Sequence, residues 1–491
     1  MTEVKASPIR DLTDRQAMRA LVALMVVVTL GMSYLAWRQY ASFNLATGDT
    51  AVFGYAFSHV LQGQFFPFFA SEGTIMGNHP NFILWLWLPV YWLVPTIYSL
   101  FLFQSLMISL AAWPAYLLAR DRTGNRLTGL IAAVGLLALP TIASQHVSQI
   151  HDDQFGLALM LFTFYFFEKK NFRAFCLCLA GSLLAKETLA LNAGAFGIYA
   201  LLRRRDWKWI AFPIGWSVGY LLFVLKGLMS VWQGSGTLLY TQVAYFEQYG
   251  KTPGEVLRNM LSHPLSLVQI MFQTDRLGYL WRLLLPLGLL LPFAGWAFVP
   301  ALPTIGLNLL SSNSALRVIG WHYGSVLGGL LWMSFLTTLP RWNQMLTLWF
   351  GRRDYTRGLC LAVTLLALAS TAMWLRPSEY HWGAARAARE QAVEAVPHEA
   401  SVFCPDNMIA HFADRRAIHS LGGLHYWHRD LNQLFDYDFI VFDGNFVAYD
   451  WQQQRQLFQL IAGHPAYRSV FNQDKVFIFQ RISTPQRILH W

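Results

Sequence analysis

Residues 43–80 read FNLATGDTAVFGYAFSHVLQGQFFPFFASEGTIMGNHP and directly follow the first strongly apolar segment of the chain. Asp49 stands there in a run that is otherwise almost free of charge. The stretch ends in Gly77-Asn78-His79-Pro80, just before a segment rich in tryptophan. Ionisable side chains close to a membrane are costly and usually mark a site or a pathway. We therefore treat this stretch as a loop at a membrane face, and Asp49 as its foremost candidate residue.

The composition around this loop is that of a polytopic membrane protein. The 491 residues are 55% hydrophobic and 13% charged, whereas soluble domains carry about 25% charged residues. Apolar runs of about twenty residues recur along most of the chain, each long enough to cross a bilayer. The formal net charge of +10 comes from basic residues in short loops between apolar runs. We interpret them as topology determinants and predict no nucleic-acid partner.

The basic loops assign a side of the membrane to each apolar run. The N-terminal residues 1–19 and three later loops, at 120–126, 169–173 and 203–208, are rich in Lys and Arg and should lie inside. The number of crossings before the loop at Arg120 must then be even, but there are three apolar candidates: 20–37, 81–94 and 96–119. The shortest of them, 81–94, contains Pro89 and interfacial Trp and Tyr residues.

We therefore predict that 49–63 and 81–94 are two juxtamembrane helices lying on the outer surface. A tilted short crossing at 81–94, with one basic loop outside, is the alternative. The sequence then predicts eleven crossings with the N-terminus inside and the C-terminus outside. The crossings fall at 20–37, 96–119, 127–145, 155–168, 174–186, 188–202, 209–229, 277–297, 301–311, 325–340 and 358–375.

The composition changes after Arg376. Residues 377–491 contain alternating segments such as Ala400–Cys404, Phe439–Phe442 and Val476–Gln480, with a helical run at 451–463. We predict a membrane domain over residues 1–376 and a small soluble α/β domain on the outer face over 377–491. Asp443-Gly444-Asn445 follows a strand-like run and reads as a turn.

This topology collects the unusual polar residues on the outer face, where each also has a structural interpretation. Asp49 could cap the helix that follows it, because Gly48-Asp49-Thr50 precedes an apolar run. Lys186 and Glu187 could simply neutralise each other, and Arg276 and Arg282 could extend towards lipid headgroups. The outer-face residues that we select as candidates are Asp49, His79, His151, Asp152, Asp153, Lys186, Glu187, Arg282, Arg317 and His322.

Carboxylates and basic groups beside a membrane suit group transfer from a lipid-phosphate donor. A carboxylate can serve as general base on an incoming hydroxyl or amine. Lys and Arg can bind the phosphate leaving group and stabilise its developing charge. A transporter also places charges in the membrane, but usually near the midplane and with paired repeats. We detect no clear internal repeat here.

Several segments resemble the glycosyltransferase C superfamily, and more closely a bacterial and archaeal polytopic membrane family known as a domain of unknown function. The resemblance covers nearly the whole chain. Its carrying segments are Phe43–Asp49, Gly77–Pro80, Tyr116–Arg120, Ile150–Asp153, Leu184–Glu187, Asn308–Ser312, Trp321–Tyr323, Val396–Val402 and Asp438–Asp443.

The resemblance implies an inverting transfer of a sugar from a polyprenyl-phosphate donor on the extracytoplasmic side. It implies two juxtamembrane helices in the first outer loop, a catalytic acid there corresponding to Asp49, and a basic residue before the next hairpin, Lys186, that contacts donor phosphate. Asn44 and Asn78 stand where the family often has acidic residues. A divalent metal held by Asp49 with Asp152 or Asp153 is conceivable chemistry, but these two asparagines lead us to expect no metal or other cofactor.

The expectation is thus a multi-pass glycosyltransferase of the bacterial inner membrane, acting on an extracytoplasmic acceptor. Asp49 would be the general base, and Lys186 with Arg317 or Arg282 would bind the phosphate. His79, His151, Asp152, Asp153 and His322 would line the cleft, with Glu187 beside Lys186. The alternatives are a non-catalytic lipid-binding or transport protein on the same scaffold and a structural assembly partner.

Overall fold

The architecture is taken from a computed structural model, which describes most of the chain. The described residues are 11–45, 48–69, 73–147, 149–233, 241–290, 295–351, 354–373, 377–420, 435–446 and 451–482. Arg376, at the predicted boundary between the two domains, lies outside them.

The chain begins with a long helix, α1 (Asp14–Ala41), of 28 residues. A capping box starts it, in which the Thr13 side chain accepts from the Gln16 backbone N–H and the Gln16 side chain accepts from the Thr13 N–H. One stripe of α1 is buried, and the opposite face exposes apolar residues such as Val27 and Leu30. An exposed apolar face on a helix of this length is typical of contact with lipid.

The first loop contains the two helices that the sequence predicts and one further turn. They are α2 (Asp49–Val60), α3 (Ile75–Asn78) and α4 (Leu84–Leu93). Gly48 occupies the N-cap of α2 and Asp49 is its first residue, so Asp49 is not the N-cap residue considered above. The carboxylate still lies at the positive end of the helix macrodipole.

The middle of the chain is a bundle of helices. Between α7 and α8 the axis bends by 67°, because Pro140 begins α8 and cannot continue α7. A π-helical turn at Val224–Leu228 joins α12 to α13. The bounds are α5 (Ile97–Ser109), α6 (Ala112–Thr123), α7 (Arg126–Leu137), α8 (Pro140–His146), α9 (Leu157–Glu168), α10 (Phe172–Leu183), α11 (Leu189–Leu202), α12 (Trp207–Phe223) and α13 (Met229–Trp232).

The later helices depart from the predicted spans at two places. The predicted crossing 277–297 is wrong as one continuous helix, because Pro286 and the left-handed Gly288 (φ 64°) end it. The predicted crossing 325–340 continues through Pro340 to Phe350. The bounds are α14 (Pro253–Ser262), α15 (Pro264–Met271), α16 (Thr274–Leu284), α17 (Leu302–Leu310), α18 (Ser325–Phe350) and α19 (Thr356–Ala372).

Three stretches among the described residues are long and apolar enough to cross a bilayer by length and composition. A fourth results if the bent pair α7 and α8 is one span. The predicted total of eleven crossings is therefore not established and stays a prediction. The three stretches are Asp14–Ala41, Ile97–Thr123 and Trp207–Trp232.

The C-terminal part contains a five-stranded sheet in the order β2-β1-β3-β5-β4. Strand β1 pairs in parallel with β2 and β3, and β5 pairs antiparallel with β3 and β4. The predicted strands are β1, β3 and β5; β2 and β4 were not foreseen. The elements are α20 (Arg386–Ala395), β1 (Ser401–Cys404), α21 (Asp406–Ile409), β2 (Ala417–Ser420), β3 (Phe439–Asp443), α22 (Trp451–Ala462), β4 (Tyr467–Gln473) and β5 (Val476–Arg481).

The two faces of this sheet have different neighbours. One face, with α20 and α21, belongs to the same hydrophobic cluster as Phe43 and Ala56 of the first loop. The other face forms a separate cluster with α22, which includes Phe403 and Phe442. After β3, the Asp443 Oδ1 accepts from the Asn445 backbone N–H at 2.9 Å, which matches the turn expected there. The C-terminal sheet is thus packed directly onto the loop that carries Asp49.

Candidate functional site

Two loops on one face of the bundle are joined by glutamine side chains. The Thr50 backbone N–H donates to Gln149 Oε1 at 2.9 Å, and the Ile150 N–H donates to Thr50 Oγ1 at 3.2 Å. From helix α5, Gln104 donates to the Gln145 carbonyl at 2.8 Å and accepts from the His151 N–H at 3.0 Å. These buried bonds hold the start of α2 against the loop that carries His151.

Asp49 and His151 face each other across this junction. The Asp49 Oδ2 lies 3.7 Å from His151 Nε2. The Asp49 side chain is 47% exposed, whereas the His151 side chain is 12% exposed. Burial lowers the pKa of His151, although the Asp49 charge opposes the shift. A neutral imidazole therefore lies beside a carboxylate that solvent can reach.

The His151 ring stacks on a second histidine. His151 and His322 stack with their ring centroids 3.6 Å apart. His322 Nε2 in turn lies 3.8 Å from the Asp153 Oδ2. Burial holds the pKa of His322 well below its usual range, and the Lys186 charge shifts it in the same direction. The two stacked rings thus connect the accessible Asp49 with a buried charged cluster.

That cluster is Lys186 between two carboxylates. Lys186 Nζ lies 3.0 Å from Asp152 Oδ1 and 2.9 Å from Asp153 Oδ2, and all three residues are buried. Burial raises the pKa of both carboxyl groups, and Lys186 lowers both. The net pKa of Asp152 is lowered and that of Asp153 is raised, because the Asp152 charge acts on Asp153. The ammonium charge of Lys186 is already offset within the protein.

His79 and Glu187 form a pair of their own beside Lys186. His79 Nδ1 lies 3.0 Å from Glu187 Oε1, and the Glu187 side chain is fully buried. Burial lowers the pKa of His79, but the charges of Glu187 and Asp152 and the hydrogen bond to Glu187 together outweigh it, and the net shift is upward. Lys186 and Glu187 therefore bind different partners rather than neutralising each other directly.

Arg317 lies in a separate basic group. Its Nε is 3.2 Å from the Asp275 Oδ2, and its Nη1 donates to the Ser311 carbonyl at 2.9 Å. Arg276 binds the same Asp275 carboxylate at 2.6 Å. Two guanidinium groups therefore share one carboxylate. Arg282 is exposed on α16 and, among the described residues, makes no ion pair with this group.

A short chain of contacts links this basic group to the stacked histidines. The Ser311 hydroxyl donates to the Tyr245 carbonyl at 3.0 Å. The Tyr245 and Tyr323 hydroxyl oxygens lie 3.3 Å apart, and the Tyr323 ring contacts the His322 ring at 3.8 Å between centroids. Sequence reasoning did not single out Tyr245, Tyr323 or Gln104, because hydroxyl and amide groups in apolar runs carry no charge signal.

The Asn44 side chain donates hydrogen bonds that an acidic residue could not make. Its Nδ2 donates to the Glu379 carbonyl at 2.8 Å and to the His381 carbonyl at 3.3 Å. An ionised carboxylate has no proton to donate to a carbonyl. The amide therefore ties the first loop to the beginning of the C-terminal part.

No three His, Cys, Asp or Glu side chains within the described ranges are placed to hold a metal ion together. Asp152 and Asp153, which could have joined Asp49 as oxygen ligands, are the two carboxylates bound to Lys186. The residues present therefore do not fit the metal site considered above.

The chain matches the model of a known family over most of its length. The model of a predicted membrane protein family, DUF2079, matches residues 39–476. The chain belongs to the DUF2079 family. This family and the fold described below make it a multi-pass membrane protein. No curated protein matches this DUF2079 chain at a significant level.

Two solved structures share the fold of this DUF2079 protein. Both are crystal structures of ArnT from Cupriavidus metallidurans, one in the apo state and one bound to undecaprenyl phosphate. The apo structure has a TM-score of 0.61 at 11% identity and covers 96% of this chain and 100% of ArnT. The bound structure has a TM-score of 0.57 at 14% identity, with coverage of 94% and 99%. The expected family, a polytopic membrane family of unknown function, is confirmed.

Proposed function

We propose that this protein is an integral-membrane glycosyltransferase that transfers a sugar from a polyprenyl-phosphate donor to an extracytoplasmic acceptor. Asp49 is the general base of this proposal. The reaction takes place on the outer side of a bacterial inner membrane, with the N-terminus cytoplasmic and the C-terminal domain outside. The support from similarity is the shared fold with ArnT, a structure of which holds undecaprenyl phosphate.

The observation that carries the proposal is the position of Asp49. Its half-exposed carboxylate lies 3.7 Å from the neutral, buried His151, at the mouth of the polar cluster. A general base must be reachable by the acceptor and held in place. Asp49 meets these requirements, because the first turn of α2 is tied to the neighbouring loop by Gln149.

The proposed step is a single displacement at the anomeric carbon of the sugar. Asp49 takes the proton from an acceptor hydroxyl or amine, and the acceptor atom forms its bond to the anomeric carbon. The bond from that carbon to the phosphate oxygen breaks, and its electron pair leaves with the polyprenyl phosphate. One displacement from the opposite side inverts the anomeric configuration. The step as proposed needs no divalent metal.

Arg317 and Arg276 suit the leaving phosphate better than Lys186 does. Lys186 has two buried carboxylates within 3.0 Å, so little of its charge is left for a ligand. Arg317 and Arg276 share only the Asp275 carboxylate among the described residues, which leaves a positive balance. Guanidinium groups also bind phosphate with paired hydrogen bonds. We therefore assign donor phosphate to the Arg317–Arg276 pair.

The test is transfer by Asp49→Asn in lipid nanodiscs. A panel of undecaprenyl-phosphate-linked sugars is supplied, and release of undecaprenyl phosphate is measured. Loss of a general base should lower the rate by about 100- to 10,000-fold, while thermal stability and undecaprenyl-phosphate binding stay unchanged. Asp206→Asn, at an exposed helix N-cap, is the matched control and should keep full activity. Full transfer by Asp49→Asn would overturn the assignment, and lipid binding without transfer by the wild type would favour a non-catalytic lipid-binding protein.

A further inference from the structure

One histidine of the C-terminal domain packs against the chain just before the loop that carries Asp49. The His411 ring lies between Tyr40, at a centroid distance of 3.9 Å, and Phe43, at 4.0 Å, and is nearly parallel to both. His411 Nε2 also lies 3.0 Å from the Tyr40 carbonyl oxygen, to which it donates. Burial lowers the pKa of His411 to about 3, so the ring stays neutral and the stack is independent of pH in the neutral range.

The residue held in this stack has an unusual backbone. Phe43 has a φ of 57°, in the left-handed region that is strained for a residue with a Cβ. The Arg389 guanidinium lies 5.8 Å from the Phe43 ring centroid, and Asn44 is bound to the Glu379 carbonyl. Three contacts from the C-terminal part therefore stabilise the sharp turn that leads from α1 into the first loop.

The same domain holds the far end of α2. The Ser58 hydroxyl donates to the Ala413 carbonyl at 2.8 Å, and the Tyr55 hydroxyl donates to the Arg416 carbonyl at 3.0 Å. At Gly54 an added Cβ would lie 3.0 Å from the Ala413 Cβ and 3.1 Å from Ile97 of α5. Helix α2 is thus fitted closely between the C-terminal domain and the bundle.

We propose that residues 406–416 of the C-terminal domain position the Asp49 carboxylate, with His411 as the principal positioning residue. Its catalytic meaning rests on the function proposed above. Gln149 holds the N-terminal turn of α2, and the C-terminal domain holds its last turns and its approach. The tilt of α2 is therefore determined by Gln149 and the C-terminal domain together. Neither contact alone determines the direction of the Asp49 carboxylate.

The geometry makes small changes of tilt matter. A helix of twelve residues is about 18 Å long, so a tilt of about 5° around one end moves the other by about 1.5 Å. A misplacement of about 1 Å at a reacting centre can lower the rate by about 100-fold. Loosening the His411 contact should therefore lower kcat, while the donor KM stays within about twofold.

The test measures hydrogen exchange of the α2 amides by mass spectrometry, which needs no enzymatic activity. His411→Ala in the full-length protein should speed exchange over residues 49–60 at least about tenfold. His411→Phe, which keeps the stack, should restore most of the protection. His464→Ala is the control, because His464 stacks on Phe435 at the same centroid distance of 3.9 Å, in the cluster on the other face of the sheet. It should leave exchange in α2 unchanged.

A second variant covers the case in which His411→Ala does not fold. Tyr55→Phe combined with Ser58→Ala removes the two hydrogen bonds from α2 to the C-terminal domain without removing packing, and it should give the same exchange pattern to a smaller degree. Unchanged exchange over residues 49–60 in this variant and in a folded His411→Ala protein overturns the inference. If exchange rises but even the wild type transfers no sugar, the positioning contact stands and the proposed function fails.

Discussion

At the scale of single residues, Asp49 and Lys186 lie in opposite settings. Asp49 is half exposed, with a neutral histidine at 3.7 Å. Lys186 is buried with two carboxylates. An exposed ionised group can react with a bound substrate, whereas a buried and fully paired group mainly holds its neighbours in place. The two residues that the resemblance to known glycosyltransferases singles out therefore have different physical roles.

Removing the Lys186 charge should damage the fold before it damages chemistry. Lys186→Met leaves Asp152 and Asp153 buried without their counter-charge, which should lower the free energy of unfolding by about 3–5 kcal/mol. Thermal unfolding in lipid nanodiscs measures the change. Lys251→Met, at an exposed position, is the control. Adding Asp152→Asn and Asp153→Asn to Lys186→Met should recover most of the loss, and an unaltered melting temperature in Lys186→Met would show that the cluster contributes no stability.

His322 should make the protein less stable in acid. Its pKa in the folded protein lies well below 6.5, so below about pH 6.5 the unfolded chain binds a proton that the folded protein does not. Stability therefore falls as the pH drops from 6.5 towards the folded pKa, by at most about 1.4 kcal/mol per pH unit. His322→Phe, which keeps the stack with His151, should flatten this dependence, as measured by thermal unfolding between pH 7.5 and 5. The exposed His263→Asn should not, and identical slopes in His322→Phe and the wild type would contradict the prediction.

The sequence predicted which charged residues belong to one face, but not how they pair. Topology and charge are enough to predict that one group of residues lies close together: Asp49, His151, Asp152, Asp153, Lys186 and His322. The pairing of Arg317 with Arg276 rather than Arg282 depends on which side of α16 faces the bundle. The role of Asn44 depends on carbonyl groups more than 300 residues away in the chain. Contacts between residues that are distant in the chain produce no pattern in the local sequence from which they could be predicted.

At the scale of elements, helix breaks decide where prediction from the sequence succeeds. The two helices of the first loop are predicted from the parity of crossings and from the short run 81–94 with its Pro89 and interfacial aromatic residues, and α2 and α4 occupy nearly the predicted ranges. The span at 277–297 was predicted from apolar content alone, although Pro286 and Gly288 end the helix. Strand β4 alternates poorly and is largely exposed, so its sequence carries little strand signal and pairing with β5 determines it.

The packing of α7 against α18 and α19 should depend on one glycine. An added Cβ at Gly135 would lie 2.4 Å from Thr364 Oγ1 and from the Trp332 ring. Gly135→Ala should therefore lower the free energy of unfolding by about 1–3 kcal/mol through overpacking. Gly219→Ala is the control, since among the described residues no atom beyond its chain neighbours and its own helix backbone lies within 4 Å of the added Cβ, and it should leave stability equal or slightly higher. Equal melting temperatures for the two variants would contradict this packing.

At the scale of the whole molecule, the C-terminal sheet is part of the site's support. Its inner face shares a hydrophobic cluster with the first loop, although composition alone suggested a self-contained outer domain. The boundary near residue 376 stays a prediction from the change in charge and apolar content. The sequence does not indicate the shared hydrophobic core, because this core joins segments that lie far apart in the chain and that are each compatible with exposure to solvent.

The orientation in the membrane can be tested on intact cells. The predicted topology places His398 outside and Lys169 inside, and both side chains are well exposed. A membrane-impermeant maleimide should label His398→Cys in intact cells and Lys169→Cys only after permeabilisation. The opposite pattern would reverse the topology and place Asp49 on the wrong side for an extracytoplasmic acceptor.

The central claim is that the cleft beside Asp49 receives a lipid phosphate. A structure of the protein in lipid nanodiscs with added undecaprenyl phosphate measures this directly. The account predicts density for the phosphate between Asp49 and the Arg317–Arg276 pair, with Lys186 still bound to Asp152 and Asp153. Phosphate density elsewhere on the protein, or an empty cleft at a saturating lipid concentration, would contradict it.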